Sequence, residues 1–447
     1  MEEKNQPQTE PKQDSDFMKE RIKQRPLNKK KLARRTVVTA AMAVLFALIA
    51  CLVFTILEPL LSNWIYPEKE PQVVEFPEDV NEVLPEEMLT DKEEEQQDNS
   101  PSYEETEGIV DQQLTQMFAN FQLDVDDYKT LYTALGQVAD EAEKALVTVT
   151  GVKNDVDWFD NVYQSKGQTS GVIIGNNGKQ LLILSRKSVT EHAESILVTF
   201  TDGSMSVADL KQSDANTGLA VFTVELENLS KMTQNSIRIA ELGSSNGTSL
   251  PGSPIIAIGS PMGTVGSISY GTITSTGTTL NLTDNNFKLL TTSIYGSTDA
   301  TGVIINLKGQ ILGIIDNIYN ASDMKNLISA IGVSELKQVV EKLSNGVSIA
   351  YLGVHGTDVP EVANSRQGVP YGAYVTSIEM GSPAMNVGIQ SGDVIVKFGE
   401  NTILSMSDLT KALYKAVPES NVTLVIERRG QDEYREMEIS LDLGILE

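Results

Sequence analysis

The chain has 447 residues, 40% of them apolar and 21% charged, which suits two or three ordinary globular domains. Its formal net charge of −26 is unevenly placed: residues 1–35 hold 11 of the 35 basic residues and 6 of the 61 acidic ones, leaving 24 basic against 55 acidic in the rest. So acidic a body disfavours nucleic acid as a partner, while a single cysteine, Cys51, and only two histidines, His192 and His355, exclude an intrachain disulfide and a His/Cys metal centre.

The first 35 residues are polar and rich in Gln, Lys and Arg, and read as a disordered basic tail. Thr36–Leu57 follows as 22 residues without a charge, long enough to cross a bilayer as a helix. Lys29, Lys30, Lys31, Arg34 and Arg35 precede it and an acidic stretch follows. The positive-inside rule therefore puts the N-terminus in the cytoplasm and all later domains outside, with Trp64 and Tyr66 at the outer interface. A cleaved leader is disfavoured, because the apolar run is too long and no small-x-small site follows. The expected localisation is the cell membrane, single-pass.

Residues 58–125 read as an acidic disordered linker, which repels itself and extends. Leu131, Leu135, Val138 and Ala142 stand at helical spacing, so a short helix precedes the first strand. From about residue 145, short β-rich runs alternate with turn signals such as Asn176-Asn177-Gly178, Thr201-Asp202-Gly203 and Leu307-Lys308-Gly309. That texture indicates an all-β barrel or sandwich ending near residue 332, followed by a helix from Val333 to Leu343. A smaller α/β unit runs from about Ala350 to Leu443, with a helix over Ser407–Val417.

The β-rich region resembles the protease domain of the HtrA/Deg family, and the last unit resembles that family's PDZ domain. The likeness is carried by motifs in order: Ser170-Gly171-Val172-Ile173-Ile174, Leu219-Ala220-Val221, Ile256-Ala257-Ile258-Gly259-Ser260-Pro261, and Gly302-Val303-Ile304-Ile305-Asn306. In the last unit, Tyr351-Leu352-Gly353-Val354, Gly381-Ser382-Pro383-Ala384 and Gly392-Asp393-Val394-Ile395 match the PDZ pattern. The resemblance implies a mainly β chain: a trypsin-like domain over residues 126–345, made of two antiparallel barrels with the active site between them, then a small α/β PDZ domain over 346–447.

Such a protease needs a serine nucleophile, a histidine base and an aspartate that orients the histidine. The family's histidine position is Ser188, in Ile183-Leu184-Ser185-Arg186-Lys187-Ser188-Val189, and His192 stands four residues too late. The aspartate position, directly before Leu219-Ala220-Val221, is Gly218, while Asp214 matches a structural aspartate of that loop. The nucleophile position is Ala300, and the first glycine of that motif is Thr298, whose Cβ opposes the backbone of an oxyanion hole. Thr301 or Ser297 could offer a hydroxyl, but no histidine is placed to activate it, and Lys187 would have to be buried and deprotonated to serve.

PDZ domains bind C-terminal peptides by strand addition, with a loop of backbone N–H groups holding the carboxylate. Tyr351, Leu352, Gly353 and Val354 would form that loop, with Leu352 and Val354 lining an apolar pocket; the alternative is that Leu352-Gly353-Val354 is a core strand edge. The expected function is a catalytically inactive binding platform in envelope quality control or signalling, without cofactor or metal. The alternative is a serine endopeptidase using non-standard residues. Expected partners are protein or peptide C-termini, the membrane through one helix, and either a homo-trimer or an active HtrA protease.

Overall fold

A computed structural model describes residues 34, 37–49, 52–53, 72–77, 124–156, 162–431 and 433–446. Residues 1–70 and 71–447 are separate compact units. In the first, residues 37–49 and 52–53 are helical, and apolar side chains such as Met42, Leu45, Phe46 and Ile49 are exposed. Among the described residues no helix is long and apolar enough to cross a membrane. The predicted span over 36–57 is described only in those pieces; its remainder, Cys51, Trp64, Tyr66 and nearly all of the basic tail lie outside the described residues.

The linker expected over 58–125 is described only at 72–77 and 124–125. Residues 72–77 form no helix or strand but are docked: Val74 N–H donates to Asn345 Oδ1 at 3.1 Å and Asn345 Nδ2 donates to Val74 O at 2.9 Å. Val74 and Phe76 pack on the main core. Of the three large apolar residues of this stretch, Val74 and Phe76 are partly buried in this way and Val73 stays exposed.

The second unit opens with helix α1 (Val125–Glu143), started by a capping box between Asp124 and Asp127. Ala139 is buried, and Leu135, Val138 and Ala142 pack beside it, while Leu131 of the predicted stripe stays exposed. Six strands then close the first barrel: β1 (Leu146–Val156), β2 (Val162–Asn176), β3 (Gln180–Arg186), β4 (Ser195–Thr199), β5 (Met205–Ser213) and β6 (Leu219–Glu225), in the order β1-β2-β3-β6-β5-β4. The second barrel is β7 (Pro254–Ser260), β8 (Ser267–Leu282), β9 (Asn285–Tyr295), β10 (Thr301–Ile305), β11 (Ile311–Ile315) and β12 (Leu327–Gly332), in the order β10-β11-β12-β9-β8-β7. All pairings within the barrels are antiparallel, as expected for the two-barrel fold.

Two faces of these strands are used. Ile173, Ile183 and Phe222 fill the first barrel, and Ile255, Leu290 and Ile304 fill the second. Val172, Leu184, Val221, Ile256, Ile258 and Val303, one position out of phase, point into a third core shared by both barrels. A fully buried Leu or Ile contributes about 1.5–3 kcal/mol, so the shared core fixes the barrels against each other. Helix α2 (Val333–Ser344) completes that core with Val333, Leu336, Val340 and Leu343, one helical face.

The last domain packs β14 (Val354–Asp358), β15 (Ala373–Ile378), β16 (Val394–Phe398), β18 (Asn421–Arg429) and β19 (Tyr434–Asp442) into one sheet, with β17 (Asn401–Thr402) beside β16. β13 (Ile349–Tyr351) pairs separately with β20 (Gly444–Leu446). Helix α3 (Met406–Lys415) covers the sheet through Met406, Leu409 and Leu413. The aspartate of Gly392-Asp393-Val394-Ile395 is 1% exposed and paired through both oxygens with Arg428 Nε and Nη2, each at 2.7 Å. A bidentate pair of this kind satisfies a buried carboxylate.

Candidate functional site

Ser170 on the first barrel and Thr301 on the second are joined across the cleft by two hydrogen bonds. Ser170 N–H on β2 donates to Thr301 Oγ1 on β10 at 3.1 Å, and Thr301 Oγ1 donates to Ser170 Oγ at 3.1 Å. Ser185 Oγ donates to Ser170 O at 2.9 Å. At the end of β3, Arg186 reaches the other barrel: Nη2 donates to Ile315 O at 3.0 Å and lies 3.3 Å from Asp316 Oδ1. The cavity left between Ser170, Ser185, Arg186, Thr301 and Ile315 is about 10 Å³, room for roughly one water.

The three positions that the resemblance assigns to the triad adjoin residues of this region, each in a local setting of its own. Ser188 is exposed on a 3-10 turn, Lys187–Thr190, at the end of β3. Gly218 adjoins that turn, since Lys187 N–H donates to Gly218 O at 2.8 Å, and it has φ +65°. Ala300 is 1% exposed, its methyl part of the second barrel's core beside Ile304 and Ile328. The Ala300 N–H, a donor that an oxyanion hole would use, is bonded to Ser297 O at 3.2 Å. Among the described residues only His192, Asp284 and Glu419 are non-glycines with positive φ, so Thr298 occupies ordinary backbone.

The two hydroxyls that could replace the nucleophile are accounted for. Thr301 Oγ1 bonds to Ser170, and Ser297 Oγ accepts from Asp299 N–H at 3.2 Å. His192 is an exposed loop residue, and Lys187 is half-buried beside the Asp214 loop. Asp214 is buried and closes that loop by accepting from Thr217 N–H at 2.9 Å and Thr217 Oγ1 at 2.5 Å. Burial pushes its carboxyl up, against the opposing pull of those Thr217 bonds. Arg186, at the end of β3, and Ser170, within β2, which close the cleft, carried no sequence signal beyond lying in the family motifs.

At the PDZ domain, the side chains of Leu352 and Val354 are fully buried in the domain core, while Tyr351 is half-buried. Their backbone turns the other way. Gly353 has φ +88°, and a Cβ there would stand 2.2 Å from Ser382 Cβ, so the approach of the Gly381-Ser382-Pro383-Ala384 segment requires glycine. The bend aims the N–H groups of Leu352, Gly353 and Val354 at one point, and a carboxylate sits there: that of Asp284, at the tip of the β8–β9 hairpin. Distances are 2.7 Å from Leu352 N, 2.9 and 3.0 Å from Gly353 N, and 2.8 Å from Val354 N. Asp284 had no place in the sequence reading; its only local signal is an Asp in a turn, where a left-handed residue is tolerated.

Residues 169–314 match the trypsin-like peptidase domain family and residues 340–441 match the PDZ domain family. The chain has the HtrA-type arrangement, a trypsin-like peptidase fold followed by a PDZ domain. It is similar to the serine protease Do-like HtrB of Bacillus subtilis (strain 168), 28% identical over 342 residues, covering 70% of this chain and 73% of that one. A probable periplasmic serine endoprotease DegP-like of Hahella chejuensis is 30% identical over 291 residues, covering 63% of this chain but only 58% of that protein. Among solved structures, an HtrA-type protease AlgW with a decapeptide superposes with TM-score 0.51 at 23% identity, covering 70% of this chain and 98% of that one, a likeness of fold.

Proposed function

We propose that this protein is a membrane-anchored, extracytoplasmic HtrA-like protein that binds polypeptide without cutting it. The observation that carries this reading is the trio Ser188, Gly218 and Ala300 at the positions where the relatives named serine proteases would hold their triad. An alanine methyl packed in a barrel core cannot attack a carbonyl, and a hydroxyl needs a base to do so. The hydrogen-bond partners of Thr301 and Ser297 are a serine and a backbone amide, neither of which is a base. The retained PDZ loop of Tyr351, Leu352, Gly353 and Val354 supplies the binding function, with protein or peptide C-termini as ligands. Anchoring is supported by the uncharged run over 36–57 and its basic flank.

The test is fluorophosphonate labelling and casein turnover with the purified chain. No labelling and no turnover are expected. Robust labelling that disappears in Thr301→Val or Ser297→Ala would establish the endopeptidase reading instead. Protease protection in sealed membrane vesicles checks the anchor: degradation of the PDZ domain from the cytoplasmic side would refute the orientation.

Assembly into a homo-trimer or with an active HtrA protease is supported by one feature. Tyr128 and Tyr132 on α1 are exposed and form an aromatic row with Tyr270, with centroid spacings of 4.8 and 5.4 Å, and Val125 and Leu131 lie exposed on the same helix. Sedimentation of the chain and its Tyr128→Ala/Tyr132→Ala variant would show the assembly dissociating; a monomer in both cases, with no protease co-purifying, argues against it.

A further inference from the structure

We propose that the tip of the β8–β9 hairpin is a built-in competitor for the PDZ groove, in which the Asp284 side chain takes the place of a peptide's terminal carboxylate and must leave before an external C-terminus binds. This rests on the reading of the PDZ domain as a peptide-binding module.

The hairpin meets the amide loop, the strand edge and the helix of the groove, as a bound peptide would. Its carboxylate takes all three N–H groups of the Leu352-Gly353-Val354 bend. The Asp284 N–H donates to Val354 O at 2.7 Å, as the last amide of an added strand would. Two residues along β14, Gly356 O accepts from the side-chain amides of Asn281 at 2.9 Å and Asn286 at 3.1 Å, standing in for the next strand amide. β14 is an edge strand, paired only with β15 in its sheet, so this is the edge a peptide would extend. On the helix side, Thr410 Oγ1 on α3 donates to Asp284 O at 2.8 Å, and Tyr414 OH accepts from Asn285 Nδ2 at 2.7 Å.

The chemistry of Asp284 makes the contact displaceable. Desolvating a carboxylate costs several kcal/mol, recovered only when its lone pairs are filled. Here the four short bonds do not fully recover it: burial pushes the carboxyl up to about 6. An interdomain contact with no further role has no need of a fully buried charge. A free C-terminus offers the same carboxylate together with continuous backbone pairing along β14, so it competes for identical donors with more to gain. The left-handed φ of +60° at Asp284 turns the two-residue loop so that carboxylate and N–H face the groove together.

The experiment uses the full chain, wild type and Asp284→Asn and Asp284→Ala, against an array of fluorescent decapeptides whose last residue is varied through all amino acids, each as free carboxylate and as C-terminal amide. In parallel, hydrogen exchange is followed at the amides of Leu352, Gly353 and Val354. Expected are slow exchange in the wild type, at least tenfold faster exchange in Asp284→Ala, at least tenfold tighter binding of the carboxylate peptides to that variant, and no gain for the amides. Unchanged far-UV circular dichroism shows that the variants are folded. Equal peptide affinity for wild type and Asp284→Ala overturns the competitor role and leaves peptide binding standing. Unchanged exchange at the three amides also overturns it. Faster exchange with no peptide bound by any variant overturns the peptide-binding reading itself, and with it the competition.

Discussion

The inter-barrel cleft and the PDZ groove are both places where this fold ordinarily meets a polypeptide, and they have diverged in opposite ways. The cleft keeps its walls, has Ser188, Gly218 and Ala300 where the proposed reading puts the triad, and is closed across its span by Ser170, Thr301 and Arg186. The groove keeps every donor of its carboxylate loop, and those donors are engaged by Asp284 from the neighbouring barrel. A site whose backbone geometry serves binding survives changes of side chain, because N–H groups belong to every residue but proline. A site that depends on three particular side chains does not.

Several perturbations separate the two regions. The largest effect belongs to Gly353→Ala, where the added Cβ meets Ser382 in a left-handed backbone: we expect about 3 kcal/mol of lost PDZ stability, read by denaturant unfolding, with the barrels unaffected. A barrel transition that falls equally would mean that the domains are not separable. Next comes Arg186→Ala, which leaves the buried Asp316 short of its counter-charge. A loss of about 1–3 kcal/mol in barrel stability, with no peptidase activity gained from the opened cleft, is the expected outcome; measurable casein turnover would show that the clamp alone had silenced the site.

A smaller effect follows from pH. The Asp284 carboxyl is pushed up to about 6 from an ordinary 3.8 when docked, so the docked hairpin keeps a proton that the free hairpin has shed over that range. Docking therefore strengthens as pH falls through 6, and its contribution is weakest above 6. With about 1.4 kcal/mol per pKa unit, wild-type peptide affinity should be about tenfold weaker at pH 5 than at pH 7, by fluorescence anisotropy. The other titratable groups facing Asp284 are Tyr351 and His355 on the loop side, Glu379 bonded to His355, and Tyr414 of α3 with Asp214 beyond it. The dependence that survives in Asp284→Asn belongs to them, and an unaltered profile in that variant would remove Asp284 as its source. The smallest effect is expected from Ser188→His/Gly218→Asp/Ala300→Ser. The residues return, but Thr298, the committed Ala300 amide and the Arg186 clamp remain, so casein turnover should stay at background. Restored turnover would reduce the cleft's loss to three side chains.

Much of this was legible in the residues. The runs that alternate with Asn-Gly, Asp-Gly and Lys-Gly turns became ten of the twelve barrel strands, all but β5 and β12, because period-two burial and tight turns are local properties. The helical face of α2 was equally plain. The membrane span and the tail rest on charge and length, and the helix seen over 37–49 and 52–53 covers only part of that span. Less legible was the docking of residues 72–77, since nothing local separates Val74 and Phe76, which pack on the core, from the exposed Val73 beside them. Leu352 and Val354 read first as lining a pocket, with a core strand edge as the alternative, and their side chains are core while their amides face the groove.

By itself, the sequence determined the order of the peptidase-like and PDZ domains and most of the strand pattern of the two barrels, because each depends on residues close together in the chain; the reading of Ser188, Gly218 and Ala300 as the triad positions rests on the same local motifs. Only the tertiary structure decided that Arg186 bridges the barrels 129 residues away and that Asp284 fills a loop 68 to 70 residues further on. A carboxylate at a hairpin tip is a common turn residue. What made it a ligand was the convergence of three amides on the point where the fold brought it.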